Sequence, residues 1–137
     1  MDESIRQRVW ERAGGGCEYC LMPQAYDELP FEIDHIIPRQ HRGPTTLVNL
    51  ALACFRCNRR RGPNLAGIDP KTNKIFRLFH PRRHKWARHF QWDGPFLVGR
   101  TPIGRATVDV LALNLPLRIR MRTQLMAEGI WPPSERV

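Results

Sequence analysis

Acidic residues are nearly missing from the middle of this chain. Between His35 and Trp92 stand 13 Lys and Arg and a single acid, Asp69. Another group of acids gathers upstream, at Asp2, Glu3, Glu11 and Glu18 and again at Asp27, Glu28, Glu32 and Asp34. Charge segregated in this way points to a polyanionic partner rather than to a basic surface that only aids solubility. Long apolar runs are also missing. None approaches the roughly 20 residues that a membrane-spanning helix needs. The opening Met1-Asp2-Glu3-Ser4 lacks a basic stretch followed by an apolar one, so no secretory signal is read and a reducing, cytoplasmic setting is expected. Internal repeats and low-complexity segments are absent. Cysteine is sparse: the chain has four, arranged as two C-x-x-C pairs. In a reducing compartment such pairs bind metal or carry out redox chemistry more often than they form structural disulfides.

The length, 137 residues, predicts one domain over 1–137, with a core over 5–64 and a basic extension over 65–137. Hydrophobic residues at 42% and aromatics at 9% allow a modest core, of the size that a metal often staples. The net charge is +9.

Hydrophobic spacing predicts a helix from Ser4 to Ala13, ended by Gly14-Gly15-Gly16. Phe31 to Ile37 alternates as a strand, and Pro38 closes it. Arg39 to Thr46 reads as a loop, Leu50 to Ala53 as a short strand, and Phe55 to Arg61 as a helix stopped by Gly62-Pro63. Downstream, Ile75 to Phe79 is a strand candidate, and Pro81 to Phe90 is basic and helical in part. Phe90–Trp92 and Pro95–Val98 suggest a hairpin about Asp93-Gly94. Thr101-Pro102 opens a helix running to about Leu113. Asn114 is expected to cap a further helix with Leu117, Met121 and Leu125 on its apolar stripe and Arg118 and Arg122 beside it.

Two motifs carry chemistry. Cys17-x-x-Cys20 and Cys54-x-x-Cys57 have the spacing of a tetrahedral zinc cage. Four sulfurs leave no open position, so this metal would be structural. Asp34-His35 lies between the two pairs, and Asn58 follows the last cysteine. Asp34 and Asn58 offer oxygen ligands that suit a hard ion such as Mg²⁺ or Mn²⁺. Neighbours on a strand point to opposite faces, so Asp34 and His35 share one site only if the backbone bends there or the ion sits at the sheet edge.

Taken together, Cys17-x-x-Cys20, Ile33-Asp34-His35-Ile36-Ile37-Pro38, Asn49-Leu50, Cys54-x-x-Cys57-Asn58, a basic residue and Gly62 resemble the HNH endonuclease family. The resemblance covers residues 5 to 64. The tail resembles an extension in one group of small bacterial HNH proteins, through Phe79-His80-Pro81-Arg82, His89-Phe90 and Thr101 to Thr107. It implies an α+β fold: a ββα-metal (His-Me finger) core braced by a four-cysteine zinc site, with a C-terminal hairpin and helical extension. It also implies a metal-dependent endonuclease acting on DNA, with RNA not excluded. His35 would be the general base and Asp34 a metal ligand. Asn58 would be the second ligand, where the family often has His. Asn49 would fix the loop or orient the base. Arg61 stands where the family commonly has Lys.

Arg56, Arg59, Arg60 and Arg61, and a second cluster of Arg82, Arg83, Lys85 and Arg88, are the expected phosphate contacts. Trp86 or Trp92 could stack on a base, with Trp92 favoured as core. His80 and His84 read as surface or phosphate-contacting residues, His89 as an accessory to the site. The competing reading is a non-catalytic zinc module that binds nucleic acid. Oligomeric state is not legible in the sequence.

Overall fold

Capping chemistry fixes the first helix, α1 (Glu3–Ala13). The Asp2 side chain accepts from Ser4 N at 2.7 Å, and Gly14, at φ 62°, ends the helix by donating its N–H to Glu11 and Trp10 carbonyls. Val9 and Ala13 turn inward, and α1 packs on strand β2 (Leu50–Ala53). All four residues of β2 are buried. It pairs antiparallel with β1 (Glu32–His35), setting Asp34 opposite Ala51 and His35 opposite Leu50. Helix α2 (Phe55–Arg61) follows β2 directly, packs on β1 and stops at Gly62. The order strand, loop, strand, helix is the one expected from the sequence.

The computed structural model describes residues 1–133. It divides into two units, Met1–Leu65 with His80–Arg83, and Ala66–Phe79 with the chain from His84 onward.

Strand β1 is shorter than the alternation over 31–37 suggested. The chain bends after His35: Ile36 N still donates to the Asn49 carbonyl at 2.8 Å, but side chains take the backbone groups beside and beyond it. Arg61 donates to the His35 and Ile36 carbonyls, and Asn49 engages both the N–H and the carbonyl of Ile37. Gly43 lies so close that a Cβ there would meet the Ile37 carbonyl oxygen at 1.7 Å. Only glycine lets the loop cross here.

In the second unit, β3 (Ala66–Ile68) pairs antiparallel with β4 (Ile75–Arg77). The sequence offered no sign of β3, and β4 ends two residues before Phe79, where Phe79 N donates to Thr107 Oγ1 at 2.9 Å instead. Helix α3 (Trp86–His89) leads into the expected hairpin of β5 (Phe90–Asp93) and β6 (Phe96–Gly99), turning at Gly94 with φ 57°. Helix α4 (Pro102–Val110) has Thr101 as its cap, accepting from Gly104 N at 3.0 Å, and ends three residues earlier than expected.

Helix α5 (Pro116–Ala127) departs most from expectation. Asn114 does not cap it. Its amide instead makes a two-way bond to the Leu97 backbone, at 2.9 and 2.8 Å. The buried face is Arg118, Arg122 and Leu125, while Leu117 is exposed. Both guanidiniums find carbonyls within the unit. Arg118 reaches Leu111 O, and Arg122 reaches Leu113 O at 2.6 Å and Pro95 O at 2.9 Å while lying over the Trp92 ring. Carbonyl partners of this kind lower the cost of burying a guanidinium. Trp86 is buried among Phe90 and Trp92 and cannot stack on a base.

Candidate functional site

The two cysteine pairs meet at the end of α1 and the start of α2. All four Sγ atoms are buried and lie within 4.8 Å of one another. The cysteines are free thiols rather than disulfides. Cys20 Sγ and Cys54 Sγ are 3.8 Å apart. A tetrahedral ion with metal–sulfur bonds of about 2.3 Å, the zinc value, sets its sulfurs about 3.8 Å apart. Backbone N–H groups already point at the sulfurs, Cys20 N at Cys17 Sγ and Cys57 N at Cys54 Sγ. Burial pushes the Cys17 thiol well above its ordinary value, and the neighbouring thiols push it further. A cation in their midst reverses that penalty. This is a four-cysteine metal site.

The residues between the cysteines do separate work. Glu18 is buried. Its N–H donates to Leu52 O at 2.8 Å, its Oε2 accepts from Leu52 N at 2.8 Å, and its other oxygen pairs with Arg82. Tyr19 is buried beside it, and its hydroxyl donates to Asp34 Oδ2 at 2.7 Å. Burial, and then the Asp34 charge, raise the Tyr19 phenol well above its ordinary range, so it stays a donor.

Asp34 is 6% exposed. Its Oδ2 also faces Arg61 Nη1 at 3.5 Å. Its Oδ1 takes no hydrogen bond from another described residue. Burial pushes this carboxyl above its ordinary range, against the pull of Arg61 and Tyr19. Arg61 is itself 2% exposed, and so is no free phosphate contact. Its guanidinium is committed to Asp34, to the carbonyls of His35 and Ile36 and to the Tyr19 ring.

His35 ends β1 half-exposed, with Nε2 2.9 Å from Thr45 Oγ1. Burial, and then the positive charge of Arg39, lower its pKa from the ordinary histidine value. Asn49 is buried and bonds only backbone, accepting from Ile37 N at 2.9 Å and donating to Ile37 O and Pro44 O at 3.1 and 2.9 Å. It closes the loop on which Thr45 stands. Asn58 is half-buried on α2, and its side-chain amide makes no hydrogen bond to another described residue. Carboxylate and amide oxygens are the kind of ligand that a hard divalent ion takes.

The basic residues divide. Arg56 is held by both oxygens of Asp27 at 3.2 Å, Arg59 lies over Phe55 and 3.8 Å from Glu32, and Arg82 pairs with Glu18. Arg60, Arg83, Lys85 and Arg88 are exposed. His80 is not a surface group. It is buried, and its Nδ1 accepts from Arg82 N and Arg83 N. His89 is buried too, 2.6 Å from Thr101 Oγ1, and belongs to the second unit. Sequence reasoning missed Tyr19, Thr45 and Glu18. The only available signal for Tyr19 was its place between two metal-binding cysteines.

The HNH endonuclease family pattern matches residues 17–64. The chain is 32% identical over 90 residues to the Septu protein PtuA of Bacillus mycoides, spanning 60% of this chain and 13% of that protein. It is 32% identical over 89 residues to the CRISPR-associated endonuclease Cas9 of Corynebacterium diphtheriae, spanning 64% of this chain and 8% of that protein. To the Septu protein PtuB of Bacillus thuringiensis it is 26% identical over 113 residues, 80% of this chain and 41% of that one. The matches thus span less than half the length of each of these relatives. No helix among the described residues is long and apolar enough to cross a membrane. The segment 17–64, with its paired cysteines, its Asp34-His35 strand end and its α2, thus matches the HNH endonuclease domain.

Proposed function

We propose that this chain is a metal-dependent endonuclease that hydrolyses DNA phosphodiester bonds, with zinc in the four-cysteine site as a structural brace. The observation that carries the reading is the state of Asp34, whose Oδ2 is held by Tyr19 and Arg61 while Oδ1 takes no bond from the described residues. Asp34 and Asn58 would hold Mg²⁺ or Mn²⁺. Such an ion, when bound, neutralises charge on the phosphate and on the leaving 3′ oxygen.

His35 is the general base. In the tautomer whose Nε2–H donates to Thr45 Oγ1, the free lone pair lies on Nδ1. That nitrogen takes a proton from water, the hydroxide attacks phosphorus as the bond to the 3′ oxygen breaks, and the leaving 3′ oxygen takes up a proton from solvent. The products are a 5′-phosphate and a 3′-hydroxyl. The lowered pKa favours the unprotonated form of His35, the form this step needs. Asn49 positions the loop that carries Thr45. Arg60, Arg83, Lys85 and Arg88, exposed and basic, would contact phosphates. One relative carries the name endonuclease, which agrees with this chemistry.

The test is nicking of supercoiled plasmid with Mg²⁺, Mn²⁺ or no added ion, with an RNA duplex as a parallel arm. General-base help is worth roughly 10²–10⁴-fold, so His35→Ala should lose at least that lower factor while keeping zinc and fold. Cleavage by His35→Ala at the wild-type rate rejects the assignment. Binding without any nicking would leave the zinc-braced binding module as the better description.

A further inference from the structure

The β3–β4 ribbon has one face covered and one bare. Its inner face, Gly67 and Phe76, lies against α4, so close that a Cβ on Gly67 would sit 2.4 Å from Val110 Cγ2. Its outer face carries Ala66 opposite Arg77 and Ile68 opposite Ile75. Ile68 is 51% exposed and Ile75 is 75% exposed. Cross-strand partners on one face stand about 5 Å apart, so the two isoleucines form one apolar ridge. A two-stranded ribbon is marginal alone in water, yet this one is anchored firmly. Asp69, at the start of its turn, is buried and clamps Arg105 of α4 at 2.8 and 3.0 Å, Lys71 N at 3.0 Å and the Thr72 hydroxyl at 2.9 Å.

That clamp decides the free charge of the ribbon. Asp69 is its one acid, and Arg105 neutralises it. Lys71, Lys74 and Arg77 are exposed, and none pairs with an acid among the described residues. An apolar ridge flanked by cations only, on a rigid two-stranded mount, matches a duplex groove. The major groove is about 12 Å wide and admits such a ribbon, offering thymine methyls to apolar side chains and phosphates on both walls to cations. From this geometry we infer that the β3–β4 ribbon is a duplex-DNA docking element, with Ile68 and Ile75 in the groove and Lys71, Lys74 and Arg77 on the backbone. The inference rests on the proposed function only in taking nucleic acid as the partner.

The test uses the full chain in a His35→Ala background, so that the probe survives, and follows fluorescence anisotropy of a labelled 20-base-pair DNA duplex over a salt series. Lys71→Ala/Lys74→Ala/Arg77→Ala should bind at least tenfold more weakly at low salt. Its log–log salt slope should be shallower by about 2 to 3, at roughly 0.9 per lost phosphate contact. Ile68→Thr/Ile75→Thr keeps β-branching, so the ribbon still forms, and should bind several-fold more weakly with the slope unchanged. Circular dichroism checks that both fold. A double variant that binds as tightly as its parent overturns the inference, however the triple behaves. A parent that binds no duplex at all removes the nuclease reading and this inference together. A parent that binds beside unaffected variants removes this inference alone.

Discussion

The Tyr19 hydroxyl donates to Asp34 Oδ2 across 2.7 Å, reaching from inside the first cysteine pair to the strand that carries the candidate base. The residue therefore couples two sites that the sequence presents as separate. The cysteine turn fixes the Tyr19 backbone, the buried ring fixes the hydroxyl, and the hydroxyl fixes the carboxylate. Arg61 works on the same oxygen from α2.

Removing that hydroxyl should be felt at the ion before it is felt in the fold. Tyr19→Phe keeps the ring and deletes one bond to a charged group, worth about 1.5–3 kcal/mol. The concentration of Mn²⁺ giving half-maximal cleavage should rise several-fold, with much of the rate recovered at saturating ion. Titration of Mn²⁺ in the plasmid assay, with electron paramagnetic resonance of unbound ion beside it, measures this. An unchanged ion requirement would mean that Tyr19 only fills space.

Arg61→Met should be far more damaging, and in a different way. It strips the buried Asp34 of its cation and leaves the His35 and Ile36 carbonyls without their donor. Breaking a buried pair from one side costs about 3–5 kcal/mol. Denaturant melts should show that loss. Arg60→Ala, at an exposed neighbour, should leave the melt alone and instead flatten the salt dependence of DNA binding. The opposite pattern would return Arg61 to the list of phosphate contacts.

Chelation should dismantle the first unit. Four buried thiols gathered without a cation repel as they ionise, and binding of a structural ion is coupled to folding. A chelator, or Cys54→Ser, should abolish the helical signal of α1 and α2. Elemental analysis of native protein should find about one zinc per chain. Full ellipticity after complete zinc removal would contradict this.

Cleavage should persist below the pH at which ordinary histidines protonate. The base acts unprotonated, and both burial and Arg39 disfavour its protonated form. The acid limb of the rate profile should therefore fall below about pH 6.5, the unperturbed value. Lost activity on this limb follows proton uptake, so the rate declines as pH drops through the lowered pKa. Arg39→Ala should move the limb upward. A limb that stays put in Arg39→Ala, or lies above the ordinary value, would argue that another group titrates.

Much of the site could be read from spacing because spacing is what it depends on. Two C-x-x-C turns close a cage wherever their ends meet, and β1, β2 and α2 follow from short-range alternation and from Gly62. What stayed hidden is long-range polar chemistry. Nothing near Arg61 foretells that it will be buried on Asp34, and a basic residue after three others looks like surface. Helix α5 fails for the same reason. A stripe rule ranks Leu117 above Arg118 and Arg122, and it cannot know that Leu111, Leu113 and Pro95 hold carbonyls for those guanidiniums. Asn114 had a plausible capping role locally, but the unpaired backbone of Leu97 claimed it.

The two hydrogen bonds between Glu18 and Leu52 have a further effect. Leu52 sits in the outer strand of a two-stranded sheet, and both its N–H and its carbonyl are taken by one residue whose remaining oxygen is covered by Arg82. A bare margin of that kind invites a foreign strand to zip on. Here the metal-binding turn acts as a seal, so neighbouring copies have no open β margin at Leu52 through which to fuse.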